Sequence, residues 1–398
     1  MRILFVIQRY GLEVAGGSEL HCRWLATRLA RRHQVEIATT CALDYIEWRN
    51  HYPPGEDTVD GLRVRRFPVA RPRSEHQFSL VQDLVYHDEH TLDEERQWVI
   101  ENGPVCPSLV KALPGWPADL VVFYSYRYYQ SFFGLPTVAD RAVLVPTAEE
   151  DPAVELPVFG PLFRAPRGVL YLTPEERALV NGVSGNEAVP SVVIGSGINV
   201  PDGWRSADVR TRYGLPDRYL FYAGRIDRNK GADKLFAYYR RLADDWPEVP
   251  PLVLVGKPAL PIPDHPKVRH LGFVSEEEKF ALLAGCDVLL MPSAYESLSV
   301  IVLEAWAMGR PVLVNAACKV LEGQCVRSGG GLFYRGYAEF AESLRRISGD
   351  AALGSALGAA GRDYVRREYD WDVVERRVEG FFESLRTPQR AASTISPA

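Results

Sequence analysis

The chain has 398 residues, of which 46% are hydrophobic and 24% are charged. Single hydrophobic cores stop growing at roughly 250–300 residues, so two domains are expected. The 46 basic and 51 acidic residues give a net charge of -5, which argues against a protein that wraps nucleic acid, because phosphate binding needs a cationic excess.

Short apolar runs alternate with longer amphipathic segments in the first half of the chain, which is typical of a parallel sheet with helices on both faces. The first run, at residues 3–7, is too short for a signal peptide, and no later run approaches the roughly 18–20 residues that cross a bilayer. The pattern predicts strands at 3–7, 35–39, 63–67, 120–123, 142–145, 169–172 and 191–194, and helices at 18–32, 94–102, 128–139 and 174–181.

Glycine, proline and asparagine crowd together at residues 195–203, and the same alternation restarts after them. The second half predicts strands at 219–222, 252–255, 268–271, 288–290 and 312–314, and helices at 232–245, 276–284, 298–308, 337–348 and 371–385. We therefore predict an α/β protein with two doubly wound, Rossmann-like domains, 1–197 and 198–369. Its last residues, 387–398, rich in Ala, Ser and Pro, are predicted to be disordered.

The six cysteines contain no CxxC pair and no dense cluster, so we expect reduced thiols in a cytoplasmic protein, with no metal site. Five arginines between residues 63 and 73 leave peripheral contact with the inner face of a membrane open, and a solvated strand edge is the alternative explanation. The sequence does not determine the oligomeric state.

The loop after the first strand contains Gly16 and Gly17 and leads into a helix. Glycines let the backbone approach a ligand, and a helix amino terminus offers N–H groups to a phosphate. The spacing matches neither GxGxxG nor a P-loop. An ordinary strand-to-helix turn is therefore an equally good interpretation.

The loop after the strand at 219–222 contains Arg225 and Lys230, and a helix follows. A lysine at a helix amino terminus is unfavourable because the helix dipole repels cations there. An anionic ligand that bridges both cations would remove the conflict. Two solvated side chains in a surface loop are the alternative.

Two glutamates follow the strand at 288–290. Glu304 lies in an otherwise apolar helix, where a buried carboxylate needs a hydrogen-bonding partner from protein or ligand. Glu296 lies just before that helix and either caps it or faces the cleft. The backbone N–H groups of Leu298 and Ser299 would form a second phosphate cradle there.

In this order the features resemble the retaining nucleotide-sugar glycosyltransferases of family 4, whose GT-B fold has two Rossmann-like domains facing a central cleft. The resemblance covers most of the chain and rests on four features: Glu296-x7-Glu304, Arg225 and Lys230 in a Gly-Arg-x4-Lys-Gly context, Gly16-Gly17, and Gly-Ser-Gly-Ile-Asn at 195–199.

The resemblance implies an enzyme that transfers a hexose-type sugar from a nucleotide-diphosphate sugar to a glycan, lipid-linked or small-molecule acceptor. UDP and GDP are the expected nucleotides, and no cofactor or metal is implied. It places Glu296, Arg225 and Lys230 in the catalytic site. It also implies that the last helix, at about 370–386, returns to the first domain. The implied donor-binding residues are Gly16, Gly17, Phe273, Val274, Leu298, Ser299 and Glu304.

The sequence departs from the family at two places. Ser297-Leu298-Ser299 replaces the frequent Gly-Phe-Gly, and all first-domain histidines precede residue 91, whereas many members place a later one against the sugar. Tyr126, Arg127 or Glu149 could replace it on the acceptor side, or each could be structural.

The sequence is also compatible with other functions. The alternatives are a GT-B sugar-nucleotide epimerase, an inverting transferase, or a non-catalytic homologue that binds a nucleotide sugar. A dehydrogenase is disfavoured because no acidic residue closes the strand at 35–39 to hold an NAD ribose.

Overall fold

The computed structural model describes residues 1–14 and 16–386, so the tail predicted to be disordered, 387–398, lies outside the described residues. The chain divides into two compact units. Of the described residues, unit 1 contains 1–148, 152–194 and 374–386, and unit 2 contains 149–151 and 195–373.

Unit 1 is built on an eight-stranded sheet. Its strands are β1 (Arg2–Val6), β2 (Gln34–Thr40), β3 (Gly55–Val59), β4 (Leu62–Phe67), β5 (Leu120–Tyr124), β6 (Ala142–Val145), β7 (Gly168–Tyr171) and β8 (Ser191–Val193). Its helices are α1 (Gly17–Leu29), α2 (Glu75–His87), α3 (Leu92–Asn102), α4 (Pro107–Ala112), α5 (Tyr129–Gly134), α6 (Gly160–Arg164) and α7 (Pro174–Ser184).

The strand order in unit 1 is β3-β4-β2-β1-β5-β6-β7-β8. All neighbouring strands are parallel except β3 and β4, which form an antiparallel hairpin at the edge. The chain adds strands on one side of β1 and later on the other, so the order reverses between β1 and β5. Strands β5, β6 and β7 are buried along their whole length, as expected for a sheet covered on both faces.

Unit 2 repeats this arrangement with six strands: β9 (Leu220–Ala223), β10 (Leu252–Val255), β11 (Val268–His270), β12 (Val288–Met291), β13 (Val312–Asn315) and β14 (Gly331–Tyr334). Its helices are α8 (Val209–Tyr213), α9 (Ala232–Asp245), α10 (Glu276–Gly285), α11 (Val300–Ala307), α12 (Lys319–Ser328), α13 (Tyr337–Gly349), α14 (Ala351–Glu368) and the start of α15 (Trp371–Arg386).

The sheet of unit 2 is fully parallel in the order β11-β10-β9-β12-β13-β14. The order reverses between β9 and β12. Ligands of open parallel sheets bind outside the carboxyl ends of the strands at such a reversal, so this edge is where a site is expected in unit 2. The predicted α/β class with two Rossmann-like domains is confirmed.

Several elements differ from the sequence-based prediction. The single helix predicted at 128–139 is α5 followed by a 3₁₀ segment at Leu135–Arg141, and this segment is itself kinked at Val138, which has non-helical backbone angles. The helix predicted from residue 298 begins at Val300, since Ser299 has a left-handed conformation. The elements not predicted are β3, β14, α2, α4, α6, α8, α12 and α14.

Helix α15 continues from unit 2 into unit 1. In unit 1 its Glu375 pairs with Arg28 of α1 at 3.3 Å, and Glu379 pairs with His33 at 2.7 Å. Within residues 1–14 and 16–386, no helix is long and apolar enough to cross a membrane.

Candidate functional site at the sheet edge of unit 2

Two loops leave the neighbouring strands β9 and β12 at the point where the strand order reverses. The first, residues 224–231, contains Arg225 and Lys230; the second, residues 292–299, contains Glu296. Because both strands run parallel and pair directly, the two loops emerge at the same edge of the sheet. Residues 66 positions apart are thereby brought into hydrogen-bonding distance.

The first loop is ordered by Asp227. Its Oδ1 accepts a hydrogen bond from the Lys230 backbone N–H at 2.8 Å, and its Oδ2 pairs with Arg225 Nη1 at 3.4 Å. The buried Tyr222 hydroxyl donates to the Arg225 carbonyl at 2.5 Å. These contacts fix the backbone from which both cations project.

Gly231 lets the two loops approach each other closely. It has a φ of 71°, and a Cβ there would lie 2.3 Å from the carbonyl oxygen of Pro292. The same carbonyl accepts a hydrogen bond from Asn315 Nδ2 at 3.0 Å, which fixes it from the other side. Any side chain at position 231 would therefore push α9 away from the second loop.

Lys230 and Glu296 form an ion pair, with Nζ 2.7 Å from Oε1. Burial lowers the pKa of Lys230, but the negative charges of Glu296 and then Glu149 outweigh burial and leave the pKa raised, against a smaller opposing effect of Arg225. The ammonium group is therefore charged at neutral pH. It lies beside the amino terminus of α9, which disfavours a cation and favours an anionic ligand.

Glu304 is buried in α11, with 2% of its side chain exposed, and pairs with Lys279 of α10 at 2.9 Å. Burial raises the pKa of the Glu304 carboxyl, and Lys279 opposes that shift. Lys279 also pairs with the exposed Glu276, again at 2.9 Å. The partner that the sequence required for Glu304 is thus supplied by the protein.

Phe273 and Val274 lie in the loop after β11, and Phe273 is 75% exposed. This loop is tied to the edge of the sheet, because Gly256 N–H donates to the Gly272 carbonyl at 2.9 Å. Gly256 in turn passes the Gly224 carbonyl so closely that a Cβ would lie 1.9 Å from it. The loops after β9, β10 and β11 are therefore packed in series along one edge.

In unit 1, Gly16 leaves room for a buried carboxylate. A Cβ at Gly16 would lie 2.2 Å from Glu19 Oε2, whereas one at Gly17 would meet nothing within 4 Å. Glu19 accepts hydrogen bonds from Arg9 Nε at 2.9 Å and from Gln8 Nε2 at 3.0 Å. Gly16 thus has a packing role, and Gly17 is open.

The three proposed acceptor residues have different surroundings. Tyr126 is fully buried, with its ring centroid 4.7 Å from that of Phe159, so the structure gives it a packing role. Arg127 donates to the Tyr126 hydroxyl at 3.3 Å and is half-buried. Glu149 belongs to unit 2, where its charge acts on Lys230.

Three supporting residues were not identified from the sequence: Asp227, Lys279 and Gln324. Asp227 stands between the two predicted cations, and its spacing of three before Lys230 is a recognisable turn signal. Lys279 and Gln324 carry no such signal. Lys279 contacts Glu304, and Gln324 contacts the Leu298 carbonyl, only because their helices pack against this edge.

The edge of unit 2 combines the cations Arg225 and Lys230 with the amino termini of α9 and α11 and the buried carboxylate Glu304. Cations together with helix amino termini favour an anionic ligand at this edge. Among the described residues, no group of three or more His, Cys, Asp or Glu side chains is arranged to hold a metal ion.

Comparison with known proteins supports an enzyme class. Residues 217–350, which contain this edge of unit 2, match the family model described as "Glycosyl transferases group 1". The chain is similar to the glycogen synthase of Mycobacterium tuberculosis, with 25% identity over 94% of this chain and 92% of that protein. It is also 33% identical to the D-inositol 3-phosphate glycosyltransferase of Stackebrandtia nassauensis over 48% of this chain and 47% of that one.

The fold is similar to that of Anabaena HepE, solved in complex with UDP and glucose. The TM-score is 0.68 at 16% identity, over 96% of this chain and 99% of that chain. These findings support a glycosyltransferase with the GT-B fold. The segment matched by the family model contains five of the seven residues that the sequence resemblance assigns to donor binding and all three that it assigns to the catalytic site.

We predict that Gly231→Ala lowers the midpoint of thermal unfolding well beyond the matched change Gly214→Ala. Both glycines have left-handed backbone angles, so both changes carry about 1 kcal/mol of backbone cost. A Cβ at Gly214 meets nothing within 4 Å, while one at Gly231 meets the Pro292 carbonyl. Equal shifts measured by calorimetry for the two variants would contradict the close approach of the two loops.

We predict that Lys279→Met destabilises the protein by about 3–5 kcal/mol, since it leaves a buried carboxylate without its cation. Glu276→Gln, which removes only the exposed partner, should cost less than about 1 kcal/mol. The double variant Lys279→Met/Glu304→Gln should recover most of the loss. Urea unfolding of the three variants measures these differences.

The loss of unfolding free energy in Lys279→Met is also predicted to depend on pH. Burial raises the pKa of the Glu304 carboxyl, so the folded state keeps this proton to higher pH than the unfolded chain does. The stability linked to the protonated carboxyl is present in acid and is lost as the pH rises through the folded pKa. The stability that Lys279→Met loses relative to the wild type should therefore be smaller at about pH 5 than at about pH 8. The opposite order would contradict the buried ion pair between Lys279 and Glu304.

Proposed function

We propose that this protein is a retaining, metal-independent glycosyltransferase. It would move a hexose-type sugar from a nucleotide-diphosphate sugar to a glycan, lipid-linked or small-molecule acceptor. The observation that carries the proposal is the Lys230–Glu296 ion pair at the reversal of strand order in unit 2, next to the helix amino terminus at Gly231. It lies inside the segment that matches the glycosyltransferase family model.

The proposed donor site uses the charges of this edge. Lys230 and Arg225 bind the diphosphate, and Glu296 accepts hydrogen bonds from the hydroxyls of the transferred sugar. Glu304 binds the ribose hydroxyls, held in place by Lys279. Phe273 and Val274 contact the base. The Phe273 side chain is exposed, so its ring is accessible to a ligand.

The proposed reaction breaks the bond between the anomeric carbon and the phosphate oxygen, and the electron pair stays on the diphosphate. Fixed cations and helix N–H groups stabilise this charge as it develops. The acceptor oxygen forms the new bond on the same face of the sugar, and its proton passes to the leaving phosphate. Glu296 is thus a contact of the sugar in this scheme and forms no covalent bond to it.

The nucleotide and the acceptor are proposed from the relatives and from the sequence resemblance. HepE was solved with UDP, which favours a uridine nucleotide, and the resemblance in sequence allows GDP as well. The relatives named glycogen synthase and D-inositol 3-phosphate glycosyltransferase support a glycan and a small-molecule acceptor, respectively. Gly17 in unit 1 and Arg127 remain proposed contacts of donor and acceptor.

The first experiment is a thermal-shift panel of UDP, GDP, ADP and their sugars against the wild-type protein. A ligand that binds only the folded state raises stability by RT ln(1 + [L]/Kd), which is about 2.7 kcal/mol at a hundredfold excess over Kd. One nucleotide and its sugar should raise the midpoint clearly. Incubation with that sugar nucleotide alone separates a transferase from an epimerase, because an epimerase turns the donor into a different sugar nucleotide without acceptor and a transferase does not.

With the donor known, we predict that Lys230→Ala and Glu296→Ala each reduce the rate of transfer by at least ~100-fold, because each removes a charge at the reacting end. The matched control is Lys234→Ala, which removes an exposed lysine one turn further along α9 and should leave the rate unchanged. Full activity in either site variant would overturn the assignment. The rate should also be unchanged in EDTA, and a loss restored by Mg²⁺ or Mn²⁺ would contradict metal independence.

A further inference from the structure

Ser299 is the residue that caps the amino terminus of α11, and it has an unusual backbone. Its φ is 65° and its ψ is 78°, in the left-handed region that favours glycine. A side chain in this conformation is strained, and such strain concentrates at functional sites. In this chain a serine stands where the family that it resembles often has glycine.

The hydroxyl of Ser299 is buried and has no protein partner. The residue is 6% exposed, and Oγ makes no hydrogen bond within the part of the chain that the structure describes. A capping serine usually accepts a hydrogen bond from the second or third helical N–H, but no such bond forms here. Serine at this position therefore adds two unfavourable features to the fold, and glycine would remove both.

The backbone around Ser299 is held by neighbouring elements. Gln324 Nε2 of α12 donates to the Leu298 carbonyl at 2.6 Å, and Cys318 Sγ lies 3.9 Å from the Glu296 carbonyl. Within residues 1–14 and 16–386, the backbone N–H groups of Leu298 and Ser299 make no hydrogen bond to a backbone carbonyl. The hydroxyl and these N–H groups thus occur together at the amino terminus of an eight-residue helix.

We propose that the Ser299 hydroxyl donates a hydrogen bond to the terminal phosphate of the bound nucleoside diphosphate. This inference rests on the proposed function and adds to it a side-chain contact on the phosphate that carries the sugar. A phosphate oxygen would satisfy the orphan hydroxyl and would lie where the helix dipole favours negative charge. Ser299 then lowers the stability of the free protein and raises its affinity for the donor.

The test compares Ser299→Ala and Ser299→Gly with the wild type, using UDP and UMP as probes, or GDP and GMP if a guanine nucleotide stabilises the wild type. A hydrogen bond to a charged group corresponds to ~10-fold or more in Kd. Both variants should weaken UDP binding by about that factor and leave UMP binding unchanged. Equal affinity of wild type and variants for UDP, or an equal loss for UMP, would overturn the inference.

The strain gives a second, independent readout. Without ligand, Ser299→Gly should raise the unfolding midpoint by about 2–4 °C, because glycine adopts the left-handed conformation freely. A lower unfolding midpoint in Ser299→Gly would mean that the serine stabilises the fold, and this would also overturn the inference. The matched control for affinity is Ser348→Ala, which removes another buried hydroxyl without a partner, in regular helix α13, and should leave UDP affinity unchanged.

The outcomes separate this inference from the proposed function. If no nucleotide stabilises the wild type, the proposed function fails and the inference fails with it. If UDP stabilises the wild type and binds Ser299→Ala equally well, only the role of Ser299 fails.

Discussion

The close approach of Gly231 to the Pro292 carbonyl is the constraint on which the candidate site depends. It brings the loop after β9 against the loop after β12, and so places Lys230 within 2.7 Å of Glu296. Asp227 and Asn315 hold the two sides of this contact. Because the neighbours are backbone atoms in a packed sheet edge, they cannot move aside without a change in the strands themselves.

Each buried carboxylate of this edge has a lysine beside it. Glu296 pairs with Lys230 and Glu304 with Lys279, and in each pair the carboxylate keeps the lysine's pKa above its ordinary value. Burying charges without such partners would cost several kcal/mol. The pairing lets a site rich in charge exist inside a stable domain. It also keeps Lys230 charged beside the amino terminus of α9, where an anionic ligand is favoured.

Much of the fold and part of this site could be predicted from the sequence. Apolar runs identified all the buried central strands, and loops after strands are where ligands bind parallel sheets, so Arg225, Lys230 and Glu296 stood out. The hairpin strand β3 was missed because most of it is exposed and charged, and α14 because its Ala- and Gly-rich sequence lacks a clear apolar period. Lys279 was missed because its contact with Glu304 depends on how α10 packs against α11, which no local pattern encodes.

In the proposed function, the edge of unit 2 holds the diphosphate of a sugar donor. The most direct measurement is a crystal structure of the protein with UDP, or with GDP if that nucleotide stabilises the protein. We expect a terminal phosphate within hydrogen-bonding distance of Lys230 Nζ and of the amino terminus of α11, with the ribose at Glu304. A nucleotide bound elsewhere, with Lys230 still paired to Glu296 and its phosphate remote, would contradict it.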